Sequence, residues 1–428
     1  MRIGAIPPLA AAFQNRTRVR ETIDTARAGR GGVVLTQVLA GGGGYGKSQL
    51  AAAYANDAIN SGTELVVWVH AAEEQALITT YARAATAVHA PGAGGDDPVA
   101  DAEQFMAWLA TTSRSWLVVL DNITDPAAVQ KWWPQGRAGW VLATTRLHTD
   151  ARLTAAGRTL VPVDVYTPQE AHTYLKDRLT AAGRARLHHH GAAGQIIEQL
   201  GRLPLALGFA AAYMIEEDAT CGEYLDHLTN GLLSDALPAW ADAEDYGQPV
   251  TAALLLNLQA ATATGPPGLV EPALRLAALL DPDGHPLGLW DTPPVLAYLT
   301  AAHHTAWWKR RRRKKITARE AHAALAALHR YGLLTRDRTN GPRAVRIHAL
   351  TARAVRETTP AHQQPALATT AADALLALWP DPDQPHRDLA TTLRANTDTL
   401  HTHTQPTSGT LKDTWSSTAP ASASSTPD

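Results

Sequence analysis

The stretch that decides the fold is Gly41-Gly42-Gly43-Gly44-Tyr45-Gly46-Lys47-Ser48, which matches the pattern G-x-x-x-x-G-K-[ST]. Glycines allow the backbone to curl until several N–H groups point at one anion, and the N-terminus of the next helix adds a partial positive charge. In this pattern the lysine contacts the β- and γ-phosphates, and the serine hydroxyl ligates Mg²⁺. These residues, together with Gln49 after them, therefore predict a nucleotide site in which Lys47 binds phosphate and Ser48 binds Mg²⁺.

The sequence on both sides of this loop has the pattern of a strand followed by a helix. An apolar, β-branched run at residues 33–39 predicts a buried parallel strand, and the alanine-rich residues 49–55 predict a helix. A glycine-rich turn that binds no phosphate is the alternative, and it is disfavoured because the loop joins a strand to a helix.

Four more apolar runs follow, at residues 65–69, 116–120, 140–144 and 160–163. The last run contains Pro162, which cannot donate to a central ladder and therefore predicts an edge strand. Strands that alternate with helical segments are typical of a parallel, doubly wound sheet. We therefore predict an α/β P-loop NTPase fold for residues 1–165.

Composition limits the remaining possibilities. The chain has 428 residues, of which 45% are hydrophobic, so we expect roughly two to four domains. A net charge of −2 gives no overall attraction to nucleic acid or to an anionic membrane. The single cysteine, Cys221, excludes an internal disulfide framework, and the sequence has neither a signal-peptide stretch nor a run of about 20 apolar residues. We expect a cytoplasmic protein without a membrane partner.

The periodicity of apolar residues changes after the sheet. Helical spacing predicts a helical domain at residues 166–245. In the next domain, residues 246–358, the last long helix presents one apolar face and ends near Gly332, a candidate C-cap. Asn340-Gly341 then predicts a tight hairpin turn. Helices followed by a two-stranded wing predict a winged-helix domain.

The last part of the chain loses its apolar pattern in two steps. Apolar residues at helical spacing predict the start of a helical repeat region at residues 359–401. Residues 402–428 are rich in Thr, Ser, Pro and His and have little apolar content. Such a composition cannot offset the entropy of ordering, so we predict a disordered tail.

Two polar side chains follow predicted strands of the first domain. Asp121 ends one apolar run, and a carboxylate at the C-terminal tip of a strand can hold Mg²⁺. Arg146 ends the next run, where an arginine can contact a γ-phosphate. Taken alone, Asp121 could cap a helix and Arg146 could be an ordinary surface arginine. Beside the glycine-rich loop, we predict that Lys47, Asp121 and Arg146 are the catalytic residues and that Ser48 and Asp121 are the Mg²⁺ ligands.

The order of these motifs resembles the NB-ARC branch of the STAND signal-transduction ATPases. This group includes plant disease-resistance proteins, apoptotic protease-activating factor and actinobacterial tetratricopeptide proteins. The resemblance covers residues 5–400 and rests on six motifs: Ile6-Pro7-Pro8-Leu9 through Phe13-Gln14-Asn15-Arg16, residues 41–48, residues 117–122, Thr144-Thr145-Arg146, Gly201-Arg202-Leu203-Pro204-Leu205-Ala206, and Ile347-His348-Ala349-Leu350.

The resemblance implies further nucleotide contacts. In that family the proline matching Pro204 packs against the adenine, and the segment matching residues 6–16, which ends in Arg16, closes the other side of the base. The arginine matching Arg146 senses the γ-phosphate. The histidine matching His348 reaches the β-phosphate of ADP and locks a closed, inactive arrangement. Considered by itself, His348 could be a surface histidine of the wing.

Two departures from the family pattern bear on mechanism. The family often carries a second acidic residue where this chain has Asn122. Because asparagine cannot act as a general base, we expect slow ATP hydrolysis. The family's wing motif is often His-Asp, whereas His348 is followed here by Ala349. We therefore expect a looser ADP lock, since a possible partner of the histidine is missing.

A basic run at residues 309–315 supports a competing hypothesis. Seven consecutive lysines and arginines could contact phosphate backbones, which would make the chain a winged-helix DNA-binding ATPase or a transcriptional regulator. Like charges at such density repel one another, so we favour a solvated loop. A metabolic P-loop kinase is a third possibility, which the motif order disfavours.

The resemblance implies a molecular switch that binds ATP or ADP with Mg²⁺ and hydrolyses ATP slowly. Exchange of ADP for ATP would open the domains and allow association with protein partners or with further copies of the chain. Such proteins usually carry an N-terminal effector and a C-terminal repeat sensor. We expect this chain to lack the effector and most of the repeats, so that another chain supplies the sensor or the protein is a truncated form.

Overall fold

The protein is described from a computed structural model that covers residues 1–28, 36–40, 44–147, 150–238, 241–242, 258–306, 315–382 and 384–404. Several predictions fall outside these ranges. They concern residues 33–35 of the first predicted strand, Gly41, Gly42 and Gly43 of the loop, residues 309–314 of the basic run, and residues 405–428 of the tail.

A six-stranded parallel sheet forms the first unit. Its strands are β1 (Arg2–Ile3), β2 (Thr36–Ala40), β3 (Leu65–His70), β4 (Trp116–Ile123), β5 (Gly139–Thr145) and β6 (Thr159–Pro162). They lie in the order β1-β3-β4-β5-β2-β6, and every pairing is parallel. The predicted edge strand, β6, is at one end of the sheet. Strand β1, which has only two residues, was not predicted, because so short a run carries no periodicity.

Helices follow the strands of this unit. They are α1 (Thr17–Ala28), α2 (Lys47–Asn60), α3 (Glu74–Val88), α4 (Pro98–Thr111), α5 (Pro126–Gln130) and α6 (Ala151–Thr154). Side chains on β4 alternate between two cores: Leu117 and Val119 pack in one, and Val118 and Leu120 in the other. A strand buried on both faces explains the uninterrupted apolar runs. This arrangement, with a loop from β2 into α2, confirms the prediction of an α/β P-loop NTPase fold.

Short helices form the second unit. They are α7 (Pro168–Ala181), α8 (His190–Gln199), α9 (Pro204–Glu216), α10 (Cys221–Asn230) and α11 (Leu233–Ala236). Helix α7 begins with a capping box, in which the Thr167 hydroxyl accepts from the Glu170 N–H and the Glu170 carboxylate accepts from the Thr167 N–H. The apolar faces of these helices share one core.

The third unit contains a two-stranded antiparallel hairpin in the segment where the wing was predicted. Its elements are α12 (Leu258–Thr264), α13 (Val270–Ala277), α14 (Pro293–Ala306), α15 (Ala318–Arg330), β7 (Thr335–Arg336), β8 (Val345–Arg346) and α16 (Ala349–Thr358). Gly332 has a φ of 69° just after α15, as expected for a C-cap glycine. The hairpin exists, but the tight turn predicted at Asn340-Gly341 is wrong. Residues 337–344 form a longer connection that includes a 3₁₀ turn, Gly341–Arg343, because Asn340 keeps a negative φ of −88°.

Two more helices, α17 (Gln364–Ala377) and α18 (Arg387–Thr404), pack in the same core as the third unit. Helix α18 continues to Thr404, past the predicted start of the tail at residue 402. Asn396 on α18 is fully buried, and its side chain bonds to the Asp281 N–H and the Gly284 carbonyl. In the described parts of the chain, no helix is both long and apolar enough to cross a membrane.

Helix α16 belongs to two cores at once. Leu350 and Ala354 lie in the core of the second unit, whereas Ala352 and Val355 lie in the core of the third. These pairs occupy opposite faces, so α16 joins the two units along its whole length. The domain boundaries drawn from the sequence stay predictions.

Candidate functional site

The strand order brings the predicted site residues to one edge of the sheet. Strand β5 lies between β2, which precedes the glycine-rich loop, and β4, which carries Asp121. Parallel strands end at the same edge, so the loop, Asp121 and the residues that follow β5 meet there. Arg146 directly follows β5.

Asp121 is held by hydroxyl groups from two other elements. The Ser48 hydroxyl, in the first turn of α2, donates to Asp121 Oδ1 at 2.8 Å. The Thr144 hydroxyl on β5 donates to the same oxygen at 2.6 Å. Asp121 is only 6% exposed, so these bonds fix the carboxylate in a largely dry site. The bond from Thr144 was not predicted, because it follows from the pairing of β4 with β5.

Asn122 contributes through its backbone. Its φ of 63° is left-handed, a conformation that asparagine tolerates better than most residues. The pairing of β4 with β5 is irregular at this point. The Asn122 N–H donates to the Thr144 hydroxyl oxygen at 2.8 Å and so supports the group that holds Asp121.

Lys47 and Arg146 bring positive charge to this carboxylate. Lys47 is 8% exposed, and burial together with the charge of Arg146 lowers its pKa to about 7, against the influence of Asp121. Burial also lowers the pKa of Arg146, again against the influence of Asp121. Because desolvation disfavours the charged forms of both side chains, a bound anion would stabilise them.

The Ser48 hydroxyl and the Asp121 carboxylate fit a Mg²⁺ ion. Mg²⁺ prefers oxygen ligands and is usually held by one or two protein groups, with phosphate oxygens and waters completing the shell. The hydrogen bond between the two side chains brings suitable oxygens within reach of one ion. Both predicted Mg²⁺ ligands are therefore together.

The second unit closes on the glycine-rich loop. The Leu205 N–H, near the start of α9, donates to the Gly44 carbonyl at 3.1 Å. Gly44 has a φ of 78°, and a Cβ added to it would lie 2.7 Å from the Leu205 Cβ. Only glycine allows this approach. Pro204, the residue before Leu205, is buried as the first residue of α9. Its contact with a nucleotide stays a prediction.

Arg16 ties the N-terminal segment to the loop and to the second unit. Its guanidinium donates to the Tyr45 carbonyl at 3.3 Å and to the Val165 carbonyl at 3.2 Å, and it also bonds to the Asp164 carbonyl. The same group lies 5.0 Å from the centre of the Tyr166 ring. Burial lowers the pKa of Arg16. Arg16 therefore lies at the loop and binds protein carbonyl groups there.

Gln49 connects the N-terminal segment to α2. Its side-chain amide nitrogen donates to the Pro8 carbonyl at 3.1 Å, and its oxygen accepts from the Ala10 N–H at 2.7 Å. Both ends of the amide therefore bind the segment that the resemblance places over the base. The structure gives Gln49 the position of a support for this segment.

His348 links the third unit to the second. Its Nε2 lies 2.9 Å from the Gly201 carbonyl oxygen, and its Nδ1 accepts from the Leu350 N–H at 3.3 Å as the cap of α16. An Nδ1 that accepts requires the hydrogen on Nε2, and burial lowers the pKa of the ring, which favours this neutral form. Gly201 is needed for this contact, because its Cβ would lie 2.5 Å from the imidazole. Both ring nitrogens thus bind protein atoms, whereas the resemblance implied a phosphate contact.

The Tyr45 ring lies near both Lys47 and His348. The Lys47 Nζ lies 5.9 Å from the centre of its ring, and the His348 ring packs edge-on with centroids 6.2 Å apart. Burial, with a smaller effect of Asp164, raises the pKa of the Tyr45 hydroxyl, which therefore stays neutral. The sequence motif leaves this position open and gave no signal for the contact with His348.

Of the basic run, only Lys315 is among the described residues, and it is exposed. It lies two residues before the Thr317 cap of α15. The rest of the run falls outside the described ranges, so its predicted character as a loop or a nucleic-acid patch stays a prediction.

No model of a known protein family matches the chain. A nucleotide-binding leucine-rich repeat (NLR)-like protein from Hyaloscypha variabilis is 24% identical over 216 residues, which are 46% of this chain. The chain spans 21% of the length of that protein. This similarity agrees with the motif resemblance at the level of a STAND-type nucleotide-binding protein. It does not distinguish the NB-ARC branch from other STAND proteins.

Solved structures give only distant likenesses. A STAND protein with a tetratricopeptide repeat sensor from Pyrococcus horikoshii is 13% identical, with a TM-score of 0.36 over 87% of this chain and 46% of that one. Cdc6p from Pyrobaculum aerophilum is 12% identical, with a TM-score of 0.37 over 86% of this chain and 97% of that one. RuvB from Thermotoga maritima is 14% identical, with a TM-score of 0.35 over 81% of this chain and 97% of that one. At these scores the likenesses support no conclusion about function.

Proposed function

We propose that this protein is an ATP/ADP-binding signal-transduction switch of the STAND type with slow ATP hydrolysis. The observation that carries the proposal is that all three units meet at residues 44–48. The first unit contributes Asp121, the second Leu205, and the third His348, which contacts the Tyr45 ring. A nucleotide bound at this junction would affect how the units pack. The sequence similarity to an NLR-like protein supports the nucleotide-binding part of the proposal.

The phosphates would occupy the site of Lys47 and Arg146. Lys47 would bind the β- and γ-phosphates, because an anion compensates the two cations whose charges burial disfavours. Mg²⁺ bound to Ser48 and Asp121 would neutralise part of the phosphate charge. Arg146 would contact the γ-phosphate and thereby distinguish ATP from ADP. Pro204 and the segment at residues 6–16 would enclose the base.

ADP would favour the closed state, in which the third unit packs on the second. In this arrangement α16 buries Leu350 and Ala354 against the second unit. A ligand shifts such an equilibrium only by its difference in affinity for the two states. The γ-phosphate supplies this difference, because it adds charge beside Arg146. We propose that ATP favours an open state in which α16 leaves the second unit and copies of the chain or other proteins associate.

Slow hydrolysis would set the lifetime of the open state. Asn122 occupies the position where the resembled family often has a second acidic residue, and an amide cannot accept the proton of an attacking water. Asp121 is engaged by two hydroxyl groups. We also propose the finer assignment to the NB-ARC type, with a winged-helix third domain, because His348 caps α16 directly after the β7–β8 hairpin.

Nucleotide titration of three proteins tests the proposal. Fluorescent ADP and ATP analogues, with Mg²⁺, are expected to bind the parent. Their binding to the Lys47→Met variant is expected to be too weak to measure. Methionine fills the buried space without a charge, so the variant is expected to fold. Lys131→Met is the matched control, since Lys131 is exposed and pairs with Glu103. Parental affinity in Lys47→Met, with its fold intact by circular dichroism, would refute the site.

The alternative function is that of a winged-helix DNA-binding ATPase or transcriptional regulator. It is supported by the charge of residues 309–315. This alternative predicts ATPase activity stimulated by DNA, and DNA binding that weakens steeply with salt. Replacement of the seven basic residues by Gln would abolish both effects. A switch without DNA binding predicts that neither effect exists in the parent.

A further inference from the structure

Tyr45 occupies a position of the loop motif at which no particular side chain is required. Its ring nevertheless lies near two side chains of the site. The Lys47 ammonium lies within cation–π range of the ring, at 5.9 Å from its centre. The His348 imidazole packs against the ring edge-on, at 65° between the planes. A single side chain therefore contacts both the lysine predicted to bind phosphate and the histidine of the third unit.

We propose that Tyr45 is a positioning residue that couples nucleotide binding at Lys47 to His348, and through His348 to the packing of the third unit on the second. This inference rests on the proposed nucleotide switch. It adds a residue and a physical route between the nucleotide and the domain contacts.

The Tyr45 ring is packed together with the glycine-rich loop. The Tyr45 carbonyl accepts a hydrogen bond from Arg16, and its neighbour Gly44 is pressed against Leu205. The Tyr45 ring itself packs against the cores of the first and second units. Close-packed side chains cannot shift singly. A change at Lys47 is therefore expected to move the ring as part of this packed group.

His348 is itself held in place by two hydrogen bonds. It bonds to the Gly201 carbonyl and to the Leu350 N–H, so its ring connects the turn before Pro204 with the start of α16. A displacement of Tyr45 would disturb both bonds at once. When a phosphate binds the Lys47 ammonium, the cation–π attraction between that ammonium and the Tyr45 ring changes. A shift of the ring would then alter its contact with His348.

A double-mutant cycle tests this coupling. The dissociation rate of fluorescent ADP is measured in the parent, in Tyr45→Leu, in His348→Ala and in the double variant. Each single change is expected to speed ADP release about fivefold, the size of effect given by loss of an aromatic contact. The double variant is expected to release ADP no faster than the faster single variant. Effects that multiply, or a parental rate in Tyr45→Leu, would overturn the proposal.

Two further variants separate coupling from general packing. Tyr45→Phe keeps the ring and loses only the hydroxyl, so its ADP release is expected to stay within about twofold of the parent. Tyr213→Leu removes another tyrosine–histidine contact, that of Tyr213 on α9 with His227 on α10, at 5.3 Å. Its ADP release is expected to be parental. Accelerated release in Tyr213→Leu equal to that in Tyr45→Leu would overturn the assignment to Tyr45.

A second measurement leaves Tyr45 unchanged, in case Tyr45→Leu does not fold. The His348 ring proton on Cε1 is assigned by its loss in His348→Asn, and its NMR signal is recorded with Mg·ADP and with Mg·AMP-PNP. The signal is expected to differ between the two nucleotides in the parent. An identical signal, with both nucleotides shown to bind, would overturn the coupling. Failure of the parent to bind either nucleotide would instead refute the proposed function.

Discussion

At the scale of single residues, the site is organised by charged side chains around Asp121. The buried Lys47 and the half-buried Arg146 lie near one carboxylate, which two hydroxyl groups hold in place. In a site of low dielectric a bound anion would stabilise the charged forms of Lys47 and Arg146. A phosphate held by the backbone of the glycine-rich loop would be such an anion.

His348 gives a prediction about pH. Burial, together with the charge of Arg202, lowers the His348 pKa from its ordinary 6.5, against the Gly201 bond and Asp164. In the unfolded chain the His348 imidazole therefore binds a proton near pH 6.5, whereas in the folded protein it stays neutral at that pH. As a result, the free energy of unfolding decreases as the pH falls below 6.5. His348→Asn cannot titrate, yet asparagine is a good helix cap. We expect the free energy of unfolding of the parent to fall relative to this variant between pH 7.5 and 5, by at most about 1.4 kcal/mol per pH unit.

Urea unfolding of both proteins at several pH values checks this prediction. Other buried histidines, such as His285 with its pKa lowered to about 3, are present in both proteins and cancel in the difference. A constant difference between the parent and His348→Asn across this range would contradict the assigned tautomer and burial.

The sequence predicted part of the site because the motif residues depend on local geometry. Lys47 and Ser48 follow from the loop pattern, and Asp121 and Arg146 from their positions after strands. Other contacts depend on pairing between distant segments. The Thr144 bond to Asp121 requires neighbouring strands, and the contact of Tyr45 with His348 requires three units to meet, which no local pattern encodes.

At the scale of elements, α16 (Ala349–Thr358) contacts both the second and the third unit. Arg353 donates to the Leu228 carbonyl at 3.0 Å and to the Gly231 carbonyl at 2.8 Å, at the end of α10. A cation is favourable at the C-terminus of a helix. The Glu357 carboxylate pairs with Arg353 and accepts from the Leu233 N–H at 2.9 Å. These polar contacts therefore hold α16 against the second unit, in addition to the contacts of its buried apolar face.

Arg353→Met is expected to weaken this docking. The change removes two charge-assisted hydrogen bonds and leaves carbonyls at the end of α10 without this donor, at a cost of about 1–3 kcal/mol. We expect faster ADP release and a lower urea midpoint. Arg319→Met on α15 is a control, because Arg319 is exposed. Equal stability and equal ADP release in Arg353→Met and the parent would contradict this role of α16.

The prediction of strands and helices succeeded where apolar residues recur regularly along the sequence. It failed at a turn that depends on the backbone conformation of one residue. Strands β3, β4 and β5 place apolar side chains in a core on each face of the sheet, so their runs were visible in the sequence. Gly332 was found because a helix end needs a residue with positive φ. The hairpin turn was wrong because Asn340-Gly341 signals a two-residue loop only if both residues have positive φ, and Asn340 does not.

At the scale of the whole molecule, an ion pair connects the third unit to the first. Arg330, the last residue of α15, pairs with Asp150 at 2.9 Å. The Asp150 side chain is 6% exposed, and it also caps α6, four residues after Arg146. The predicted γ-phosphate sensor and the docking point of the third unit therefore lie on the same short segment of chain.

This ion pair is expected to help hold the closed state. Arg330→Gln and Asp150→Asn each remove one charge, and asparagine still caps α6. Because Arg330 is partly exposed, we expect ADP release to accelerate only about two- to fivefold in each variant. The double variant should match the single variants, since both changes remove one interaction. A parental rate in both single variants would show that the pair does not restrain the units.

Hydrogen–deuterium exchange of the amides of α16 tests the central claim most directly. The parent is saturated either with Mg·ADP or with Mg·AMP-PNP, and exchange at residues 349–358 is compared. A switch predicts slow exchange with ADP and faster exchange with AMP-PNP, because only the second nucleotide carries a γ-phosphate to favour release of α16 from the second unit. Identical exchange with the two nucleotides, both fully bound, would contradict the switch and leave a nucleotide-binding protein whose domains do not respond to what is bound.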